Sequence, residues 1–284
     1  MSINAENFVA QLLAQAKQHS TPLGAGVLQW QCWSGPVGAR PLLLLHGGFG
    51  SWTHWAANIA ALRQNRPIWS LDIPGLGVSA ALPGDPDSTD FAAAIMASLN
   101  TLHGIDVEFD IAGFSFGALI GADLAVLAQD RCSHFIACGA AGFGDLHVQV
   151  DLLRPPGPDV PVAQAQAIHR INLARLMLHH EQAIDEMAVN IHSRNLAQAR
   201  FNSRRLAKSD GFIQALPDIR ARLCGVWGTE DATAGGVLAI EQRQMLFQQA
   251  QPDSGFHILE GVGHWAMYED VPAFNAIVES ATRC

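Results

Sequence analysis

The sequence predicts an α/β protein with a mostly parallel sheet and a helical segment set into it. Three observations predict this. Short continuous apolar runs, at residues 41–45 and 67–71, read as strands buried on both faces. They alternate with stretches of helical periodicity, an order that implies right-handed crossovers between parallel strands. The alternation stops between residues 145 and 215, where no strand-like run occurs.

Taken in order, residues 5–18 place Phe8, Leu12, Leu13 and Ala16 at helical spacing, which predicts an amphipathic helix. Residues 27–33 alternate apolar and polar, which predicts an early antiparallel strand. The run at 41–45 ends at His46-Gly47-Gly48. Residues 52–62 read as a helix and 67–71 as the next buried strand. A loop punctuated by glycine and proline follows, Asp72-Ile-Pro-Gly-Leu-Gly-Val-Ser79, and then a helix at 91–102. Strands are predicted again at 135–138, 223–227 and 256–259, with helices at 239–249 and 272–282. The organisation expected is a first core segment at 1–144, a helical cap at 145–215 and a second core segment at 216–284.

The stretch Asp110-Ile-Ala-Gly-Phe-Ser-Phe-Gly-Ala-Leu119 organises the chain. It holds Gly113-x-Ser115-x-Gly117 between a short apolar run and the small residues of 118–122. This order predicts strand, sharp turn, helix. Glycines two before and two after the serine keep side chains out of the close strand–helix contact. The turn sets the Ser115 hydroxyl at a helix N-terminus, where N–H groups favour developing negative charge.

A serine hydroxyl needs a base, and the base needs an aligning group. Asp231 follows the strand at 223–227, and His264 follows the strand at 256–259. The chain order serine, acid, histidine suits an α/β arrangement. Glu230 is the alternative acid, but the spacing from Gly228 favours Asp231. An oxyanion hole needs two backbone N–H groups. Phe116, next after the serine, is expected to supply one. The loop His46-Gly-Gly-Phe-Gly50 is expected to supply the other, assigned to Gly48 with Phe49 as the near alternative. His46 reads as a brace for that loop, and Asp72 as a residue that fixes its own loop.

These motifs together resemble the α/β-hydrolase superfamily, and the likeness covers essentially the whole chain. It rests on His46-Gly-Gly, Asp72-x-Pro-Gly-x-Gly-x-Ser79, Gly113-x-Ser-x-Gly117, Gly228-x-x-Asp231 and Gly263-His264. It implies the α/β-hydrolase fold, a mostly parallel eight-stranded sheet with a helical cap over the catalytic residues. A narrower likeness is to the meta-cleavage-product hydrolases, which cut a carbon–carbon bond beside a ketone. His264-Trp265-Ala266 and the double glycine after His46 carry it. That family usually has Asn before the nucleophile, where this chain has Phe114. It also holds its substrate with a cap arginine, where this chain has His192 with Arg194 close by.

The expected activity is therefore a serine hydrolase acting on a small carboxylic ester, with Ser115, Asp231 and His264 catalytic. Substrate contacts are expected from Phe49, Phe114, His192, Arg194 and Trp265. Carbon–carbon hydrolysis is the alternative, and a slow-turnover receptor of the same fold is the alternative of another class. Trp265 reads either as core filler or as a pocket wall. Arg194, Arg200, Arg204 and Arg205 read as a charged helix face from which one could turn inward to a carboxylate.

Composition bounds the rest. The chain has 284 residues, 49% of them hydrophobic and 15% charged, so it can bury a substantial core. The net charge of −9 argues against nucleic acid and anionic membrane as partners. The segment 145–215 carries eight Lys/Arg and seven Asp/Glu, so the negative charge lies outside it. The five cysteines are irregularly spaced without a CxxC, as in a reduced cytoplasmic protein without structural zinc. No secretory leader or membrane-spanning run is read. No HExxH motif accompanies the histidines at 169, 179, 180 and 192, so no metal is expected, and no flavin or nucleotide is implied. The partner expected is a small-molecule substrate, with a homo-oligomer left open.

Overall fold

The computed structural model describes residues 5–157 and 159–283, so residues 1–4, Pro158 and Cys284 lie outside the described residues. The chain begins with helix α1 (Ala5–Ala14) and strands β1 (Lys17–Leu23), β2 (Gly26–Trp33) and β3 (Leu42–Leu45). A 3-10 turn at Trp52–Trp55 leads into α2 (Ala56–Leu62), followed by β4 (Ile68–Leu71), α3 (Ser88–His103), β5 (Phe109–Phe114), α4 (Phe116–Ala128) and β6 (Cys132–Cys138). Four helices without a strand come next: α5 (Val162–Leu176), α6 (Glu186–Gln198), α7 (Arg204–Ala207) and α8 (Gly211–Ala215). The chain closes with β7 (Arg222–Gly228), α9 (Val237–Ala250), β8 (Gly255–Leu259), α10 (Ala266–Glu269) and α11 (Val271–Ala281).

The eight strands form one sheet in the order β1-β2-β4-β3-β5-β6-β7-β8. The β1–β2 and β2–β4 pairs are antiparallel, and all others are parallel. Side chains of a strand alternate between faces, and this splits the core in two. Leu43, Leu45, Ile111 and Phe135 pack with Phe91 of α3, with α4 and with Phe247 of α9. Leu42, Leu44, Ala112 and Ile136 face the other way, onto Val9 and Leu12 of α1, Ile59 of α2 and Phe274 of α11. A strand covered on both faces must be apolar throughout, and all four residues of β3 are buried leucines.

Two sequence expectations change. The first helix ends at Ala14 rather than 18, and residues 17–23 form edge strand β1, which the hydrophobic pattern does not reveal. Only Thr21 of β1 is buried, and Pro22 sits in it, as an edge strand tolerates. Helix α3 starts three residues earlier than expected. Asp87 accepts from the N–H groups of Thr89 (3.0 Å) and Asp90 (3.1 Å), and Asp90 accepts from the N–H of Asp87 (3.0 Å), a reciprocal cap. Within the expected cap range, α8 packs into the core, where Phe212 lies among Phe135, Phe143 and Phe247. No helix among the described residues is long and apolar enough to cross a membrane.

Candidate active site

Parallel strands carry their C-terminal ends to one edge of the sheet, where α/β proteins bind ligands. The loops after β3, β5, β7 and β8 meet there. Between β5 and α4, Ser115 has φ 52° and ψ −115°. An L-residue reaches this region only under strain that its surroundings hold in place. Here the Ser115 N–H donates to Cys138 O (2.9 Å), while Ser115 O accepts from Ala118, Leu119 and Ala141. The flanking glycines are required by contact. A Cβ on Gly113 would lie 2.6 Å from the Ala118 backbone, and one on Gly117 would collide with the carbonyls of Leu45 and His46.

The loop after β3 packs on this turn. A Cβ built on Gly47 points at Phe114 (2.8 Å) and at Ser115 Cβ (3.4 Å), and one on Gly48 points at Ser203 and at Phe116 Cβ (3.6 Å). Phe49 has φ 52°, a second strained non-glycine position. Two buried histidines brace the loop. His46 donates from Nδ1 to Gly47 O (2.8 Å) and accepts at Nε2 from the Ile73 N–H (2.9 Å). His54 accepts at Nδ1 from the Gly47 N–H (3.3 Å). Burial pushes His46 down to about 4 and His54 well below the ordinary histidine value, so both braces are uncharged. Asp72 accepts from the N–H groups of Trp52 (3.0 Å) and Val78 (3.0 Å), which ties its own loop to the segment after the glycines. Phe116 is the first residue of α4, where backbone N–H groups have no partner within the helix.

His264 and Asp231 form a buried pair, with His264 Nδ1 donating to Asp231 Oδ2 at 2.8 Å. The other carboxylate oxygen accepts from the N–H and the hydroxyl of Thr233, both at 2.8 Å. Burial alone would raise the Asp231 carboxyl, but the His264 imidazole and these hydrogen bonds hold it below the ordinary range. Glu230, the alternative acid, is half-exposed and lies 4.0 Å from His179 instead. Gly139 fits against the pair. It follows Cys138, which holds the Ser115 N–H, and a Cβ on it would stand 3.0 Å from His264 Nδ1 and 3.2 Å from Asp231 Oδ2.

Ser115 and His264 line one cavity of about 150 Å³, together with Gly48, Phe49, Phe114, Phe116 and Thr233. The helical segment supplies most of the remaining wall, through His147, Leu152, Asn172, Met177, His192, Asn195 and Lys208 among others. No Asp or Glu is among the residues that line it.

The expected substrate contacts divide. Phe49, Phe114 and His192 line the cavity. Trp265 does not: it is fully buried, stacks on Tyr268 (4.2 Å between ring centroids) and donates to His54 O (3.0 Å), so it is a core residue behind the loop. Arg194 is exposed and absent from the lining, because α6 turns it to solvent and turns His192 and Asn195 inward. Of the other arginines, Arg200 bonds the carbonyls of Gly77 and Ser79, Arg205 pairs with Asp85, and Arg204 stands over the Phe49 ring at the cavity rim.

Several residues that shape the site carry no motif. Glu269 accepts from the N–H groups of Gly263 (2.7 Å), His179 (3.2 Å) and His180 (2.5 Å), which clasps the histidine loop to the helical segment. Arg243 is buried and donates to Ala234 O, Ala239 O and Leu146 O, joining the acid loop to the start of that segment. Thr233, two residues after Asp231, had a readable signal, since hydroxyl residues at this offset often bond an Asp side chain. Glu269 and Arg243 had none, because their partners are backbone groups, which any sequence provides. Among the described residues no group of three or more His, Cys, Asp or Glu is placed to share a metal ion.

The model of the Alpha/beta hydrolase family matches residues 42–277. In sequence, the chain is 32% identical over 142 residues to the dihydrolipoyllysine-residue acetyltransferase component of an acetoin cleaving system from Pseudomonas putida. That match covers 49% of this chain and 38% of the relative's length. Among solved structures, naproxen esterase from Bacillus subtilis superposes with a TM-score of 0.72 at 19% identity, covering 98% of this chain and 96% of that one. The meta-cleavage product hydrolase of Pseudomonas fluorescens IP01 gives 0.74 at 16% identity, covering 94% and 97%. At such identities the structural likeness speaks for the fold alone.

Proposed function

This chain belongs to the alpha/beta hydrolase family, and on that premise we propose that it is a serine hydrolase that cleaves a small carboxylic ester. One observation carries the reading: His264, paired at 2.8 Å with the buried Asp231 behind it, lines the same cavity as a serine held in a strained strand-to-helix turn. Ser115 Oγ attacks the ester carbonyl, and His264 Nε2 takes its proton. Asp231, ionised, keeps the proton on Nδ1 and stabilises the imidazolium. The N–H groups of Gly48 and Phe116 receive the developing oxyanion. His264 then protonates the departing alcohol. Water, activated by the same imidazole, releases the acid and restores Ser115.

The helical segment acts as a cap that closes the cavity and sets its selectivity. The cap position aligned with the arginine of carbon–carbon hydrolases is a neutral histidine and Arg194 faces solvent, which supports an ester over a dienol ketone, while Arg204 and Lys208 in the lining supply positive charge for a substrate that carries a carboxylate. The cysteines at 32, 132, 138 and 224 are unpaired, which suits action in a reducing cytoplasm.

The test is p-nitrophenyl acetate turnover by wild type and Ser115→Ala, with covalent labelling by a fluorophosphonate. Wild type should turn over and take the label. The variant should lose at least about 10³-fold in kcat and stay unlabelled. Equal turnover by both proteins would refute the assignment.

A further inference from the structure

Ser203 brings the cap against the loop after β3. It occupies the N-cap position of α7, with backbone angles φ −71° and ψ −11°. A serine here ordinarily turns its hydroxyl onto the first N–H groups of the helix. This one does not. The Arg204 N–H is taken by Asn202 Oδ1 (3.2 Å), and the Ser203 hydroxyl makes no cap bond. Among the described residues that hydroxyl has no hydrogen-bond partner. Ser203 is 3% exposed, and it belongs to the cavity wall. Asn195 Nδ2, in the same wall, is sealed from solvent, whereas the Ser203 hydroxyl is not. Buried polar groups are nearly always paired, so a hydroxyl turned from its own helix and open to the cavity has its partner there.

Its position says which part of the reaction it faces. A Cβ built on Gly48 would overlap the Ser203 hydroxyl, with Ser203 Cβ at 3.1 Å and Phe116 Cβ at 3.6 Å. The hydroxyl therefore stands where a side chain at position 48 would be, beside the two residues whose N–H groups are assigned to the oxyanion. The segment that carries it is pinned on both sides. The Arg200 N–H donates to Gly75 O (2.9 Å), the Phe201 ring stacks on Phe116 (5.9 Å between centroids), and Leu206 is buried in the core. A donor fixed before the reaction begins costs no reorganisation when charge develops.

Resting on the hydrolase reading, we propose that Ser203 is a further catalytic residue: its hydroxyl is a third donor to the oxyanion, supplied by the cap beside the N–H groups of Gly48 and Phe116. When Ser115 Oγ bonds to the carbonyl carbon, the π pair of the C=O bond moves onto oxygen and the Ser115 proton goes to His264 Nε2. Ser203 donates a hydrogen bond to that oxygen and keeps its own proton. The bond strengthens as the charge forms, so its effect falls on kcat more than on KM. Glycine at 48 is part of the device, since a side chain there would take the place of the hydroxyl. The oxyanion site is then complete only with the cap seated.

The experiment compares ester hydrolysis by wild type and Ser203→Ala, together with inhibition by two ketones of the same chain, a trifluoromethyl ketone and its methyl counterpart. Ser115 adds to the first to form a hemiketal oxyanion, and the second binds unreacted. The alanine variant loses no cap bond, so it should melt as wild type does. Its kcat should fall by about ten- to a hundredfold, with two N–H donors remaining, and KM should stay within about twofold. Affinity for the trifluoromethyl ketone should fall by a similar factor, and affinity for the methyl ketone should hold. Ser203→Cys keeps the size with a weak donor, should also lose kcat, and serves as the test if the alanine variant does not fold. Unchanged kcat in either variant overturns the third donor. Equal weakening of both ketones also overturns it, since Ser203 would then only shape the wall. Unchanged variants beside an active wild type leave the hydrolase reading standing, whereas a wild type that neither turns over esters nor binds the trifluoromethyl ketone removes both.

Discussion

Gly139→Ala adds one methyl group where Ser115, Asp231 and His264 are knit together, without removing a functional group. Gly139 has φ +51°, a conformation that costs an L-residue about 1 kcal/mol. The new Cβ would stand 3.0 Å from His264 Nδ1, 3.1 Å from its Cε1 and 3.2 Å from Asp231 Oδ2. Comfortable contact begins near 3.5 Å, so the imidazole must retreat by a few tenths of an ångström. The retreat stretches the 2.8 Å bond to Asp231 or turns the ring away from the serine. A misplacement of about 1 Å can cost about 10²-fold in rate, so this one should cost roughly three- to tenfold in kcat. The stability cost should lower Tm by about 2 to 4 °C. Gly24→Ala is the matched control, because Gly24 has φ +56° and nothing within 4 Å of its Cβ position. The two variants should lose similar stability by thermal melts, yet only Gly139→Ala should lose kcat in ester hydrolysis. Equal kcat in both would mean that the position of the imidazole against Asp231 does not limit turnover, and the reasoning would fail.

Three more outcomes are expected. Gly228→Ala drives a Cβ into the Val262 and Gly263 carbonyls at the junction of β7 and the histidine loop; backbone cannot yield as a side chain can, so Tm should drop by more than 5 °C, about 2 kcal/mol or more, or soluble protein should be lost. Thr233→Val removes one donor to Asp231 at constant shape, so about 1.5 to 3 kcal/mol of charge-assisted bonding is lost and the acid limb of the kcat/KM profile should move to higher pH. Stability in urea should fall between about pH 6.5 and 4.5. His46 and His192 are held at about 4 by burial, so the unfolded chain binds more protons in that window and folding weakens as pH drops. Burial raises Asp72 to about 6, which has the opposite slope, since there the folded state binds the extra proton. The histidines outnumber it and His54 adds to them, so a net loss of several kcal/mol is expected; a flat stability curve would contradict it.

What could be read from the sequence follows from local causes. A strand buried on both faces has no choice but to be apolar, so β3, β4 and β7 are visible as runs of Leu, Ile, Val and Trp. The turn at Ser115 is visible because its backbone leaves no room for a Cβ on either flanking glycine. Strand β1 is hidden because an edge strand exposed to water needs no apolar pattern, and its residues pair through backbone groups that any sequence provides.

The amino-acid order alone determined the α/β succession and the glycine-flanked turn, together with candidate acid and histidine positions just past strand ends. Packing decided the rest. Trp265, beside the histidine, went into the core because its indole N–H found the carbonyl of His54. Arg194 went to solvent because α6 is docked by the face that carries His192 and Asn195. Which face a helix presents depends on the neighbours that bury it, and those neighbours lie over a hundred positions away in the chain, as Ser51 does from Asn195. Local chemistry can therefore announce a turn, but only the assembled fold fixes which side chains look into a cavity.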